Sequence, residues 1–250
     1  MNLNLKIYLE AHLAWFIGTI VQNQIHKHHA LQISIALEDD VMITTPLDSF
    51  LTKSALLVSS SVPHQLNCHG QHLTLLVNPT TPQGKYWLQW STDDVVELPE
   101  EVITYFKIRG KEILESQPPG SLVELTREIK DRIGNQDSLL DPRIEKAIDF
   151  LSLNAHRVVS LEEAAAHSNL SESRFIHLFR EQTGQTFRRA QLWNKVSNAV
   201  SRFGTSSLTE IAHDSGFSDS AHFGRTFKEN FGFSPKLLEK NSQFIQVLTE

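Results

Sequence analysis

The sequence predicts an α+β protein: a small antiparallel β-barrel followed by helices, then an all-α region in which two helix-turn-helix units are joined by a long helix. Three observations carry this reading. Apolar residues alternate with polar ones at Leu3, Leu5, Ile7 and Leu9, and again at Leu31, Ile33, Ile35 and Leu37, which is the period of a half-buried strand. From Pro99 onward the apolar spacing changes to three and four, the period of a helix. Finally, Ser160 to Gly184 and Ser207 to Gly232 repeat one pattern, with Ser160/Ser207, Glu163/Glu210, Ala165/Ala212 and Ser171/Ser218 offset by 47 and Phe175/Phe223 and Phe179/Phe227 by 48.

In chain order, β-rich runs at Trp15 to Ile20, Val41 to Thr44, Ala55 to Ser59 and Leu73 to Val77 follow the first strand, separated by turn material such as Glu38-Asp39-Asp40 and Asn78-Pro79. They place the barrel over about residues 1–90, and a barrel of this size encloses room for a small molecule. Within it the histidines cluster: His26, His28 and His29, then His64, His69 and His72. Alternate strand residues point the same way, so His26 and His28 can ligate one metal together with His64; the favoured alternative is that they are vestigial or, with Gln32, contact an organic ligand.

Pro99-Glu100-Glu101 reads as a helix start, with Val102, Phe106, Ile113 and Leu114 as an apolar stripe interrupted by Gly110. Pro118-Pro119-Gly120 breaks the chain, and Leu122, Leu125, Ile129 and Ile133 mark a second helix. These helices, about 99–133, complete a first domain over residues 1–134. The polar residues 135–141 serve as linker, and a second domain spans 142–240. Asp141 and Pro142 supply an N-cap and an N1 proline for a helix carrying Ile144, Ala147, Ile148 and Leu151.

In the second repeat a helix ends at a turn on Gly216, and another starts on the cap Ser218 and stops at Gly232. Phe223 and Phe227 share its buried face, leaving Ser220, Ala221, Gly224, Arg225 and Lys228 outside. In the first repeat Phe175, Leu178 and Phe179 are the buried set, and Ser173, Arg174, Ile176, His177 and Arg180 lie outside. Thr186 to Phe203 suits a single connecting helix of 18 residues, roughly 27 Å long. Two heads so spaced suit successive major grooves about 34 Å apart on one side of a duplex.

With these residues in view, the last hundred positions resemble the DNA-binding domain of the AraC/XylS family of bacterial transcription regulators, most specifically in GFSDSAHFGRTFKENFGFSP. The resemblance implies base contacts from Ser173, Ile176 and His177 in the first unit and Ser220, Ala221, Gly224 and Arg225 in the second. Arg225 can give a bidentate contact to guanine or serve only as a phosphate contact or surface charge; Ile176 and Ala221 suit thymine methyls. Lys195 stands where the family usually has arginine and Ala190 where it has an aromatic, which puts any buried ion pair there in question. The His26-x-His28 pair with a distant histidine resembles the metal motif of enzymatic cupins, but the carboxylate those enzymes place next is absent and Gln32 lies near that place. HKHHALQISIAL with VPHQL looks more like the metal-free, cupin-like sensory barrel of some AraC-family members, so no cofactor and no catalytic residue is expected.

Composition bounds the rest. With one cysteine, Cys68, no internal disulfide forms; with no long apolar run and no leader, no membrane span is expected and the cytoplasm is the expected place. The net charge is −6, with 10 Lys+Arg against 16 Asp+Glu in residues 1–140 and 13 of each in 141–250, so DNA affinity must come from local placement of Arg174, Arg180, Arg188, Arg189, Arg225 and Lys228. The expected partners are promoter DNA, RNA polymerase, a small-molecule effector in the barrel and a second copy of the chain. The expected role is activation. The alternative is a metal-dependent enzyme or metal sensor carrying a DNA-binding half.

Overall fold

The computed structural model describes residues 5–10, 13–18, 24–52, 54–68, 70–88, 90–115, 131, 140–231, 234–236 and 245–247. Strands β1 (Leu5–Glu10), β2 (Leu13–Gly18), β3 (Leu31–Ala36), β4 (Val41–Thr44), β5 (Ser49–Thr52), β6 (Ala55–Val58), β7 (Gln65–Cys68), β8 (His72–Val77), β9 (Val95–Glu97) and β10 (Ile245–Val247) build the β domain. Among the described residues they form two sheets, of seven strands in the order β10-β1-β2-β8-β3-β6-β9 and of three in the order β5-β4-β7, the mainly antiparallel β domain expected over about 1–90. The chain switches sheets between β3 and β4. Strand β9 lies beyond the expected end, and β2 begins two residues before the Trp15 to Ile20 run.

The half-buried alternation of β3 is also corrected. All six of its residues are buried. Leu31, Ile33 and Ile35 pack with Trp15, Leu73 and Leu75 under helices α1 (Pro82–Leu88) and α2 (Glu100–Glu115), through Trp87, Ile103 and Phe106. The opposite face carries Gln32, Ser34 and Ala36 inward toward the second sheet. A central strand of a domain covered on both sides loses its wet face. Helix α2 runs through Gly110 without interruption, since one glycine costs only about 1 kcal/mol. Apart from Asp131, which is helical, the second predicted helix lies outside the described residues, as do most of the linker and the stop at Gly232.

Helix α3 (Pro142–Leu153) starts as expected, Asp141 accepting from the Arg143 N–H and Pro142 at N1, and buries Ile144, Ala147, Ile148 and Leu151. The first helix-turn-helix is α4 (Leu161–His167) and α5 (Glu172–Thr183); the second is α7 (Leu208–Asp214) and α8 (Ser220–Phe231). Each opens with a reciprocal capping box, Ser160 with Glu163 and Ser207 with Glu210. Connecting helix α6 (Phe187–Val200) has 14 residues, about 21 Å, against the 18 expected. It ends early because the amides of Arg202 and Phe203 turn back to Ala199 and Val200, tightening the last turn, and Gly204 enters the left-handed region at φ 84°.

Candidate functional site

The outward face of α5 carries Ser173, Arg174, Ile176, His177 and Arg180, all exposed, with Ile176 at 46% of its full area. Phe175, Leu178 and Phe179 hold that helix down on α3 and α4. On α8, Ser220, Ala221, Arg225 and Lys228 are exposed and Gly224 is half-buried, while Phe223, Phe227 and Phe231 are in the core. A Cβ at Gly224 would meet nothing within 4 Å, so no packing inside the protein requires the glycine.

The start of α8 differs from expectation. Asp219 caps it, its Oδ1 accepting from the His222 N–H at 2.6 Å, while Ser218 Oγ bonds the Asp219 carboxylate and faces His222 Nδ1 at 3.1 Å. That capping bond holds the Asp219 carboxyl below its usual range, with Ser218 and the nearby Arg225 adding to the effect. Two cap-forming residues stand side by side, and the aspartate is the one directly before the first helical residue.

Lys195, where an arginine ion pair was in question, makes none among the described residues: its Nζ donates to the Gly216 carbonyl at 2.7 Å and lies 6.0 Å from the Phe217 ring. Burial lowers its pKa. Arg189 is turned away from the expected DNA side toward the β domain, its guanidinium 3.5 Å from Ser61 Oγ. Next to it Gln185, which the sequence did not single out, is buried and donates to the His29 carbonyl at 2.5 Å and to Ser60 Oγ at 3.4 Å. The only sequence signal for it was a polar residue between Gly184 and a helix start.

The second unit rests directly on the β domain. Ala14, Phe16, Ala30 and Leu76 share a core with Trp193, Val196, Ile211, Phe223, Phe227 and Phe231. Phe16 lies 6.4 Å from the Phe231 ring.

Between the sheets, the sequence-predicted ligand residues converge. His28, Gln32 and His64 are buried and His26 is half-buried. His26 and His64 exchange backbone hydrogen bonds of 3.0 and 2.8 Å, and one ring nitrogen of each of His26, His28 and His64 lies within 4.8 Å of the others. The Gln32 carboxamide oxygen is 3.0 Å from His28 Nε2 and 3.1 Å from His64 Nε2. Its nitrogen donates to Ser34 Oγ, which meets Thr74 Oγ1. Burial pushes the His64 imidazole down to about 4 and His28 well below its ordinary value, with each ring opposing charge on the next; His26 is lowered for the same first reason. The set is therefore uncharged at neutral pH. His72, also buried, is lowered to about 4 and does not join the cluster; His69 lies outside the described residues. Cys68 is buried beside the Gly70 carbonyl, and burial raises its thiol, so it is packing.

Comparison with known proteins places this geometry. A family model described as a helix-turn-helix domain matches residues 164–241. Those residues are an AraC-type helix-turn-helix domain. An uncharacterized HTH-type transcriptional regulator of Staphylococcus aureus is 31% identical over 104 residues, 41% of this chain but only 14% of that protein. The uncharacterized HTH-type transcriptional regulator YidL of Escherichia coli is 26% identical over 181 residues, 63% of this chain and 60% of YidL. Both of these relatives thus extend well beyond what this chain matches. In fold, the AraC-type domain and the β domain together follow ToxT from Vibrio cholerae: an apo ToxT structure aligns at TM-score 0.61 and 14% identity, covering 93% of this chain and 98% of that one. A ToxT structure with bound unsaturated fatty acid aligns at 0.56 and 13%, covering 95% and 94%. No helix among the described residues is long and apolar enough to cross a membrane.

Proposed function

We propose that this chain is a sequence-specific regulator of transcription that binds promoter DNA through the outer faces of α5 and α8 and responds to an effector held in its β domain. The observation that carries the effector half is the shared core: Phe16 and Leu76 of the β domain lie in the same cluster as Phe223 and Phe227 of the second DNA-reading unit. A ligand that shifts β2 or β8 therefore acts on α8 without an intermediary. That ToxT, a fold neighbour, is seen with a bound fatty acid supports an effector in this domain. Arg225 reads a guanine, Ile176 and Ala221 touch thymine methyls, and Arg174, Arg180 and Lys228 meet phosphates. The regulator works as a cytoplasmic homodimer and activates by contacting RNA polymerase.

The test is selection of random duplexes on the purified chain, followed by binding of the enriched sequence. An enriched motif whose preference relaxes in Arg225→Ala is expected; no enrichment sinks the reading. The neutral charge balance predicts a shallow salt dependence, with a log–log slope no steeper than about −8. Light scattering at micromolar concentration should report a dimer.

A further inference from the structure

We propose that His26, His28 and His64, with the Gln32 carboxamide oxygen as fourth donor, bind a divalent transition-metal cation of the zinc, nickel and cobalt class, and that this cation is the effector. The second half rests on the regulator reading above; the first does not.

The proposal starts from ring orientation. His26 Nδ1 faces the Gln24 carbonyl at 3.0 Å, His28 Nδ1 the Ala30 carbonyl at 3.0 Å, and His64 Nδ1 the Val62 carbonyl at 2.9 Å. A carbonyl only accepts, so in all three rings Nδ1 carries the proton and Nε2 presents a lone pair. A ring that anchors one N–H on a carbonyl and offers its other nitrogen is in the state that metal ligation requires. On two of these lone pairs converges a third acceptor, the Gln32 oxygen, at 3.0 and 3.1 Å. Acceptors facing acceptors in a buried site are unfavourable unless something positive lies among them. In the metal-free protein the amide turns over, its two N–H groups serving the two rings and its oxygen accepting from Ser34. With the cation bound, the oxygen faces inward and the nitrogen donates to Ser34 Oγ at 3.0 Å.

Donor chemistry selects the ion. Three imidazoles and one amide oxygen suit zinc, nickel or cobalt; they are too few oxygens for calcium or magnesium, and no thiolate is present for softer ions. Bonds of about 2.05 Å set tetrahedral donors about 3.3 Å apart, a spacing that the three imidazoles, whose ligand atoms lie within 4.8 Å of one another, can reach by small shifts. The segments that would move are those that seat the DNA-binding half. The carbonyl of His29, adjacent to His28, accepts from Gln185 and from Ser60 Oγ at 2.8 Å. Ser61, three residues before His64, meets His29 Nδ1 at 3.1 Å and Arg189 at 3.5 Å. The first contact ends on Gln185, just before the N-cap Thr186 of α6, and the second on Arg189 in the first turn of α6, the rod between the two reading units.

The experiment uses the full chain without an affinity tag, stripped with chelator and titrated with Co²⁺, Zn²⁺, Ni²⁺ and, as control, Mg²⁺. One Co²⁺ per chain with visible ligand-field bands, displaced by Zn²⁺ and indifferent to Mg²⁺, is expected. His28→Ala and His64→Ala, checked for fold by circular dichroism, should weaken binding at least about tenfold. Gln32→Glu should tighten it by about tenfold or more, a gain that no misfolded variant can imitate. No saturable binding by the wild type, or undiminished binding in both folded histidine variants, overturns the site. The enriched duplex is then titrated with and without Zn²⁺: a change in affinity of about fivefold or more supports the effector role, and stoichiometric metal with unchanged DNA affinity overturns that role alone. A wild type that binds metal but enriches no duplex would instead count against the DNA-binding reading.

Discussion

The first helix-turn-helix unit closes its core on α3, with Phe175 and Phe179 packed on Ile144, Ala147 and Leu151, whereas the second closes its core on the β domain, with Phe223, Phe227 and Phe231 near Phe16 and Leu76. Their turns differ in the same sense. Asn169 holds the left-handed position of the first turn at φ 53°, and Gly216 holds it in the second at φ 74°, where a Cβ would lie 2.6 Å from the His156 carbonyl oxygen. The second turn is thus pressed against the loop after α3 and pinned by Lys195, while the turn in the first is set by its own chain. One repeated pattern has been set on two foundations: the second unit shares its apolar core with the β domain, whereas the first meets that domain through the polar contacts of Gln185 just after α5.

The hardest blow to this contrast is Phe16→Ala. It should cost about 3–5 kcal/mol and lower hydrogen-exchange protection in α8 while sparing α5; Phe175→Ala should do the reverse. Equal loss in both helices from either variant would abolish the distinction. Acid should also reach the second foundation. His72 is held at about 4 in the fold against about 6.5 unfolded, so between those values the unfolded chain takes a proton that the folded one refuses. Stability is full above pH 6.5 and falls as pH drops toward 4, by up to about 3 kcal/mol from this group. Denaturant midpoints across that window should fall less steeply in His72→Gln, with His28, His29 and His64, which burial also lowers, supplying the remaining slope; an unchanged profile removes His72 as a cause.

Gly216→Ala should destabilise by about 3 kcal/mol, combining a left-handed backbone with the clash at His156, whereas Asn169→Ala should cost only about 1 kcal/mol. Similar thermal shifts for the two would mean that the turns are equivalent after all. Arg225→Ala should lose about 1–3 kcal/mol of discrimination at one base pair and leave the first half-site untouched, read by competition with single-base variants. Smallest is Gly224→Ala, which should raise stability by about 0.5–1 kcal/mol because the space above it is open, while weakening DNA binding. A variant that binds duplex as well as the wild type would leave the glycine without a purpose on that face.

Much of the helical half was legible because its signals are local. The capping pairs Ser160/Glu163 and Ser207/Glu210, and the four-residue spacing of Phe175 with Phe179 and of Phe223 with Phe227, act within one or two turns of chain. Short strands were not. β5 is exposed at alternate positions and has four residues, and β7 and β9 are no longer than that, so they carry little pattern of their own. β10 pairs in parallel with β1 across nearly the whole chain, Ile245 opposite Ile7, a partnership with no local mark. The histidines were visible as residues, but their ring orientation was not, because it depends on the carbonyls of Gln24, Ala30 and Val62.

By itself the sequence determined where the helices of the reading units begin, which of their faces are apolar and that the pattern occurs twice, since these follow from interactions three and four residues apart. Tertiary structure alone decided that Gln32 lies under two imidazoles, that Gly216 abuts His156 and that Gln185 reaches His29. Contacts of this kind join residues as many as 156 positions apart, and nothing in the neighbourhood of either partner encodes the other.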